Sequence, residues 1–417
     1  MTSPLALLGG TPAVTAPAPH FAWPPVSDQT ASAVLAQLRT AVSVYDRSGV
    51  IAELEDALRG YFGVRHALLT SSGTAALYDL YAACRIQPGD EVICPAYTFF
   101  ATVTPLLHMG AVPRLADCDE NGNLDPADVA RKITPRTRAI VVTHMWGVPA
   151  DMTALRELAD SSGLTLLEDG SHAHGASTGA QKAGTAGDGS AFSMNGPNPL
   201  SAGEGGFLLT GSDETYYRAL LHGQYNKRCR NEIPAGHEMR PFAVTGMGLK
   251  HRVHPLAASL ALDQLGQLDD YLDGRAQIAA CLLENLKDTP GIRVPRLATA
   301  LRPSWYGLIL QYQPAELGGL PIGRYHEALL AEGCAEVDRP GSTCPLNLLP
   351  LFQDPSRLFP AYEGKFAYGP GDFPRAEAFH AGAIKLPVWH REEDVPLARQ
   401  YIEGFRKVAA RYRDLLA

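Results

Sequence analysis

The sequence predicts an α/β fold: a large domain with a mostly parallel seven-stranded sheet between helices, and a smaller C-terminal α+β domain. Between residues 51 and 265, short apolar runs alternate with helical patterns, which is typical of layered α/β proteins. Most of these runs are continuously apolar, as in strands that helices cover on both faces. A chain of 417 residues also exceeds what one core usually holds, which indicates two structural lobes.

The predicted strands of the large domain are short and end at polar residues. They span residues 66–72, 91–97, 112–118, 139–144, 164–169, 190–195 and 205–211. Helices are predicted between them, for example over 74–85 and 151–163. The second of these helices has its apolar residues on one face, and Asp151 is placed to cap its N-terminus.

Three segments are expected along the chain: an N-terminal arm (1–30), a large domain (31–265) and a small domain (266–417). The arm is rich in proline, and helices dominate beyond residue 266. The predicted elements there are helices over 270–288, 324–333 and 394–416, a strand at WYGLILQYQ and a Pro- and Gly-rich connector over 339–374. The last helix has its apolar residues at helical spacing, which predicts a docked amphipathic helix.

Composition excludes several classes of protein. A net charge of -8 argues against binding to a nucleic-acid backbone, which needs basic surfaces. No run of apolar residues is long enough for a membrane span, and the N-terminus has no pattern of a secretion signal. The seven cysteines are scattered, without a C-x-x-C pair, which favours reduced thiols and a cytoplasmic location.

Ligands of open α/β sheets bind beyond the carboxyl ends of the strands, so the residues at those ends are the candidates for chemistry. In SSGTAAL, Gly73 starts a helix whose free N–H groups suit a phosphate, although a simple turn reads the same way. In EDGSHAHG, Asp169 ends an apolar strand and needs a partner such as a pyridinium N–H; capping a turn is the alternative. His172 and His174 are candidate acid/base groups or structural histidines.

Two further segments carry candidate residues. Phe99, after the EVICP strand, could lie flat on a bound ring or belong to the core. In GLKHRVHPLAASLALDQL, Lys250 and Arg252 precede a helix as donors to a phosphate or carboxylate. His251 and His254 in the same segment have no third ligand at metal-binding spacing, so no metal ligands are expected.

Taken in order, these motifs resemble the DegT/DnrJ/EryC1/StrS family of sugar aminotransferases, fold-type-I enzymes that use pyridoxal phosphate. The resemblance covers almost the whole chain, from LALLGGTPAV to LPVWH. The matching motifs between these ends are SGTAAL, CPAYTFFAT, HMWGVPADM, EDGSHAHGA, AFSMN, SAGEGG and AASLALDQL. The opening and the HPLAASLAL helix are most similar to members that act on cyclitols and related rings, including scyllo-inosose and aminohydroxybenzoate-forming enzymes.

The resemblance implies roles for the candidate residues. Gly73 and Thr74, with Ser193 as a further donor, would hold the cofactor phosphate. Phe99 would stack on the pyridine ring, and Asp169 would pair with its nitrogen.

Two more positions follow from the same resemblance. His172 stands where the family has Gln or His near the ring oxygen. Lys250 stands where the family commonly has an Asn that reaches into the neighbouring subunit's site, which implies a homodimer with composite sites.

One position departs from the family pattern. The lysine that normally links the cofactor covalently is replaced by Asn198, which lies between Pro197 and Pro199 in AFSMNGPNPLSAGEGG. Losing a positioned acid/base group costs about 10²- to 10⁴-fold in rate, and the covalent anchor is lost as well. Relatives with histidine there act as dehydratases on the pyridoxamine form, but an asparagine amide does not titrate near neutral pH.

Three interpretations remain open from the sequence. The first is a non-standard enzyme that holds pyridoxal or pyridoxamine phosphate without a covalent link, with His172 or a nearby lysine as base. The second is an ordinary ring-ketone aminotransferase whose lysine was replaced or is supplied by Lys227 or Lys250. The third is a non-catalytic ligand-binding or partner subunit, and the retained Asp169, Thr74 and Ser193 weigh against it. The expected substrate is a keto-sugar, cyclitol or related ring intermediate of secondary metabolism.

Overall fold

The structure, a computed structural model, describes residues 3–416 and is built around a seven-stranded sheet. The first two residues of the predicted arm and the last residue of the predicted small domain lie outside the described range. The strands are β1 (His66–Thr70), β2 (Glu91–Pro95), β3 (Tyr97–Phe99), β4 (Val112–Ala116), β5 (Thr137–Thr143), β6 (Thr165–Asp169), β7 (Ser177–Thr178), β8 (Gln181–Lys182), β9 (Gly189–Ser193), β10 (Gly206–Thr210), β11 (Ile292–Arg293), β12 (Leu301–Arg302), β13 (Leu308–Tyr312), β14 (Thr343–Pro345) and β15 (Ala383–Leu386).

Helices cover the sheet and form most of the C-terminal part. They are α1 (Asp28–Thr40), α2 (Gly49–Phe62), α3 (Gly73–Ala83), α4 (Thr104–His108), α5 (Pro126–Lys132), α6 (Met152–Ser162), α7 (Asp213–Gly223), α8 (Asn226–Glu232), α9 (Pro255–Gly266), α10 (Leu268–Leu286), α11 (Ile322–Ala331), α12 (Pro350–Gln353), α13 (Pro374–Gly382) and α14 (Val395–Ala410). Within residues 3–416, no helix combines the length and the apolar character that crossing a membrane requires.

The main sheet has the strand order β1-β10-β9-β6-β5-β2-β4. The pairs from β9 through β6, β5 and β2 to β4 are parallel, while β10 runs antiparallel to both β1 and β9. The predicted mostly parallel, seven-stranded sheet is therefore confirmed, and each predicted strand lies within two residues of an observed one. Continuous burial along β2, β10 and residues 139–143 of β5 explains why those runs lack apolar–polar alternation.

The predicted Pro- and Gly-rich connector contains a strand that the sequence did not indicate. β14 pairs antiparallel with β3, Thr343 opposite Phe99. β3 belongs to this two-stranded sheet and is not part of the main sheet, so β14 supplies its hydrogen-bond partners. The connector thereby holds Phe99 in place after the carboxyl end of β2.

The C-terminal lobe encloses a separate apolar core. Side chains of α10, α11, α14 and the sheet β11-β13-β15 share it, and the predicted amphipathic helix is confirmed as α14. The arm adds Leu5 and Val14 to this core, and Glu332 accepts hydrogen bonds from the N–H groups of Ala6 (2.8 Å) and Ala13 (3.0 Å). The division of the chain near residue 265 stays a prediction.

The predicted cap of α6 is confirmed and provides a test of local stability. The carboxylate of Asp151 accepts a hydrogen bond from the N–H of Ala154 at 3.0 Å. We expect Asp151→Ala to lower the free energy of unfolding by about 1 kcal/mol, because a first-turn N–H loses its acceptor. Urea denaturation measures the change. Thr153→Ala, at an exposed position of the same turn, is the control and should change stability by less than about 0.5 kcal/mol.

Candidate active site

Three strand ends bring the candidate residues to one edge of the main sheet. β1 and β9 both run antiparallel to β10, so they point the same way, and β9 is parallel to β6. The turn after Thr70, the carboxylate of Asp169 and the hydroxyl of Ser193 therefore lie at the same edge. This is the edge at which open α/β sheets bind ligands.

The turn between β1 and α3 places backbone N–H donors at the start of α3. Ser72 caps α3: its hydroxyl accepts from the N–H of Ala75 (3.0 Å), and its carbonyl accepts from the N–H of Ala76 (3.0 Å). The N–H groups of Gly73 and Thr74 precede these two, and first-turn amides have no acceptor within the helix. Such a helix start binds anions, because N–H groups and helix dipole both favour negative charge.

Gly73 is required by the close approach of α3 to β9. A Cβ atom at residue 73 would lie 2.5 Å from the Cβ of Ser193. The glycine therefore brings the helix start and the Ser193 hydroxyl side by side. This juxtaposition assembles the predicted phosphate donors in one place.

We expect Gly73→Ala to lower the free energy of unfolding by about 1–3 kcal/mol, because either α3 or β9 must shift to make room. Gly60→Ala is the matched control, since a Cβ there meets no atom within 4 Å in the helix α2. That substitution should leave stability unchanged or raise it by up to about 1 kcal/mol. Urea unfolding of both variants distinguishes a steric requirement at residue 73 from a general effect of replacing glycine. Equal unfolding midpoints for the two variants would contradict the steric requirement.

Asp169 ends β6 and is 5% exposed. The hydroxyl of Thr102 donates to its Oδ2 atom at 2.7 Å, and the N–H of Ser171 donates to its Oδ1 atom at 3.1 Å. Both partners are neutral donors. A buried carboxylate is costly without compensation, so a cationic N–H donor from a ligand is the partner that this arrangement favours.

His172 is buried and stacks on an aromatic ring. Its ring lies 3.9 Å from that of Tyr306, centroid to centroid, with an interplanar angle of 5°, and Trp146 stacks on the pair at 5.7 Å. Within residues 3–416, its Nδ1 atom has no hydrogen-bond partner. Burial, followed by the charge of Lys385, lowers the pKa of His172 to about 3, so the imidazole is neutral at physiological pH.

Lys385 and Tyr306 belong to this environment, and sequence reasoning missed both. The Nζ atom of Lys385 lies 5.3 Å from the centroid of Tyr306 and 5.7 Å from that of Trp146. Burial lowers the pKa of the Lys385 amine. A lysine inside the apolar run AIKLPV was the available signal, whereas nothing in the sequence indicated that Tyr306 would stack on His172.

The side chain of Asn198 is engaged within its own loop. Its Nδ2 atom donates to the carbonyl of Ser193 at 2.9 Å, and its N–H donates to the carbonyl of Asn195 at 3.0 Å. The indole N–H of Trp23, in the arm, donates to the carbonyl of Asn198 at 2.7 Å. Asn198 is 4% exposed, and its side chain joins the loop to β9 by the hydrogen bond to the carbonyl of Ser193.

Phe99 and His174 have different surroundings. Phe99 is half-buried beside Phe100, at 4.1 Å between ring centroids. His174 is fully buried against Phe192 and Phe207, and burial lowers its pKa to about 3. These contacts favour the structural interpretation of His174.

The two lysines considered as replacements have other contacts. The Nζ atom of Lys227 forms an ion pair with Asp46 at 2.8 Å. Lys250 is exposed, and its Nζ atom lies 5.5 Å from the ring centroid of Tyr225. The segment that carries Lys250 is not helical, because α9 begins at Pro255.

Comparison with known proteins places this geometry in a family. A family model described as the DegT/DnrJ/EryC1/StrS aminotransferase family matches residues 32–398. The L-glutamine:2-deoxy-scyllo-inosose aminotransferase of Streptomyces kanamyceticus is 37% identical over 380 residues, which cover 88% of this chain and 86% of that protein. The dTDP-3-amino-3,4,6-trideoxy-alpha-D-glucose transaminase of Streptomyces venezuelae is 32% identical over 359 residues, 86% of each protein.

A solved structure agrees with these sequence matches. The X-ray structure of S. venezuelae DesV in complex with a ketimine intermediate is similar to this chain with a TM-score of 0.75 and 30% identity. The match covers 92% of this chain and 95% of that structure. The fold is therefore that of the fold-type-I aminotransferases, and the chain belongs to the DegT/DnrJ/EryC1/StrS aminotransferase family.

Proposed function

We propose that this protein is an enzyme that binds pyridoxal or pyridoxamine phosphate without a covalent link and acts on a cyclic ketone. The observation that carries the proposal is the position of Asn198. Its carboxamide cannot form a Schiff base and is bonded to the carbonyl of Ser193. Lys227 is paired with Asp46, so this alternative amine is held by a carboxylate instead.

The residues at the sheet edge fit such a cofactor. Gly73, Thr74 and Ser193 offer backbone and hydroxyl donors to its phosphate, in a cradle that a Cβ at residue 73 would close. Asp169 offers a buried carboxylate to the pyridine nitrogen. Phe99 is available to pack on the ring. When bound, the cofactor supplies the ring that withdraws electrons from the reacting carbon.

His172 and Lys385 are titratable side chains beside Tyr306. His172 is neutral, so it can accept or donate a hydrogen bond but is a weak base at neutral pH. We assign it to orienting a ring oxygen or a substrate hydroxyl through the Nδ1 atom, which lacks a protein partner in the described part of the chain. Lys385 lies behind Tyr306, where its charge adds to burial, the main cause of the low pKa of His172.

The substrate class follows from the relatives. The two relatives are named for a deoxy-scyllo-inosose and for a dTDP-linked amino sugar. Both are polyhydroxylated rings. We therefore propose a keto-cyclitol or keto-sugar as the substrate of this chain, with the cyclitol favoured by the higher identity.

A second copy of the chain would complete the site. Large apolar side chains are exposed in two segments, 35–45 and 242–249. They are Leu35, Leu38, Val42, Tyr45, Phe242, Val244, Met247 and Leu249. Tyr45 contacts Tyr225, and the amine of Lys250 lies near the same ring. Exposed apolar surface of this kind marks an interface, so we propose a homodimer in which Lys250 reaches the other subunit's site.

Sedimentation and ligand titration test the two parts of the proposal. We expect a dimer at micromolar concentration; a monomer would argue against the shared site. In equilibrium titrations, pyridoxamine phosphate should bind at least as tightly as pyridoxal phosphate, because neither form gains a bond to the protein. Protein loaded with pyridoxamine phosphate should change its absorbance with scyllo-inosose and not with pyruvate. A clear preference for the aldehyde form, or no response to either ketone, would contradict the proposal.

A further inference from the structure

Three metal-ligating side chains that are not among the candidate active-site residues converge from separate elements. Asp79 lies on α3, His222 in the last turn of α7 and His251 in the segment before α9. The Nδ1 atom of His222 lies 2.6 Å and that of His251 2.7 Å from the same Oδ1 atom of Asp79. The three ligand atoms all lie within 4.8 Å of one another.

The carboxylate at the centre of this cluster is incompletely compensated. Asp79 is fully buried, and its Oδ2 atom has no hydrogen-bond partner within residues 3–416. A Cβ atom at Gly223 would collide with both oxygens of the carboxylate. The carboxylate therefore occupies a close-fitting space in which only the two imidazoles partner it, and a buried charge of this kind favours a cation.

We infer that Asp79, His222 and His251 form a binding site for a divalent transition-metal ion, with Zn²⁺ as the best match. Two imidazole nitrogens and one carboxylate oxygen are ligands that zinc accepts, usually with a fourth position open to water. Zinc–ligand bonds of about 2.0–2.2 Å separate tetrahedral ligand atoms by about 3.3–3.6 Å. The two separations from Asp79, 2.6 Å to His222 and 2.7 Å to His251, must both lengthen by about 0.6–1.0 Å, which requires small shifts of both imidazole side chains.

The cluster was not recognisable from sequence, because its members are spread between residues 79 and 251. Sequence reasoning compared only His251 with His254, three residues apart, and predicted no metal ligands. In the structure, the Nδ1 atom of His254 instead accepts from the N–H of Leu256 at 3.2 Å and caps α9. His254 is thus a natural control for His251.

The site would connect the turn between β1 and α3 to the segment that carries Lys250. The N–H of Ser71 donates to the carbonyl of His251 at 2.5 Å, and the N–H of His251 donates to the carbonyl of Gly223 at 2.7 Å. A metal ion bound to His251 would fix this backbone against α3. The role assigned is therefore structural: the ion orders a segment beside the turn at Gly73.

Zinc binding to the full-length protein tests the inference independently of cofactor binding. After treatment with a chelator and dialysis, Zn²⁺ is titrated against a chromophoric competitor. We expect one ion per chain with a dissociation constant below about 1 μM, which corresponds to about 8 kcal/mol. His222→Gln and His251→Gln should each weaken binding at least 100-fold, while His254→Gln should leave it unchanged.

Cobalt substitution supplies a second readout. Co²⁺ bound to the wild-type protein should give ligand-field bands of low coordination number, and both His→Gln variants should lose them. Circular dichroism identifies any variant that does not fold. If one histidine variant does not fold, the other is sufficient for the test. Weaker binding than about 1 μM, or equal affinity in His222→Gln, His251→Gln and wild type, would overturn the inference and indicate adventitious surface binding.

Discussion

Asp169→Asn is expected to weaken the binding of pyridoxamine phosphate by about 2–5 kcal/mol, or about 30-fold to several thousand-fold, because the ring nitrogen loses its charged partner. The carboxamide can still accept from Thr102, which now bonds the carboxylate at 2.7 Å, so the fold should be retained. Its NH2 group, however, cannot accept a hydrogen bond from a protonated ring. Fluorescence titration measures the affinity.

Asp151→Asn is the matched control for Asp169→Asn. It removes the same charge from a residue that caps α6, and asparagine caps helices as well as aspartate does. Its affinity for pyridoxamine phosphate should equal that of the wild type. Unchanged affinity in Asp169→Asn would refute the assignment of Asp169 to the ring nitrogen.

Asn198→Lys should convert a non-covalent site into a covalent one. With pyridoxal phosphate, we expect a new absorbance band and a cofactor attached to residue 198 after borohydride reduction. Recovery should be partial for two reasons. Pro197 and Pro199 restrict the backbone on both sides, and the new side chain gives up the hydrogen bond from Asn198 to the carbonyl of Ser193.

Asn195→Lys is the control that places a lysine elsewhere in the same loop. The Nδ2 atom of Asn195 points to Glu204, at 2.9 Å, on the exposed side of the loop. A lysine there should not trap the cofactor. Equal trapping in Asn195→Lys and Asn198→Lys, or none in a folded Asn198→Lys protein, would contradict the assignment of residue 198 to the family's lysine position.

The main sheet was predictable because a strand that is buried on both faces gives a short run of consecutive apolar residues. The apolar run at residues 139–142 lies in β5, and the short apolar run of β6 ends at the acidic residues Glu168 and Asp169 at its carboxyl end. The turn between β1 and α3 was predictable for a similar reason, since Gly73 begins a helix shortly after a strand. Such features can be predicted from the local sequence because each depends on a single strand or turn.

Contacts between distant segments were not predictable. Trp23 of the arm bonds the carbonyl of Asn198, and Tyr306 stacks on His172. Each pair joins residues more than a hundred positions apart, so no periodicity or spacing connects them. Asn198 itself was identified from the motif, but its bond to the Ser193 carbonyl depends on the loop conformation.

Borohydride trapping on the wild-type protein tests the central claim, the absence of a covalent link, most directly. One equivalent of pyridoxal phosphate is added, the mixture is reduced and digested, and each lysine-containing peptide is weighed by mass spectrometry, with and without excess pyridoxamine phosphate. The account predicts that no lysine is labelled in proportion to the bound cofactor. Stoichiometric labelling of a single lysine, such as Lys227, Lys250 or Lys385, that pyridoxamine phosphate prevents would contradict it.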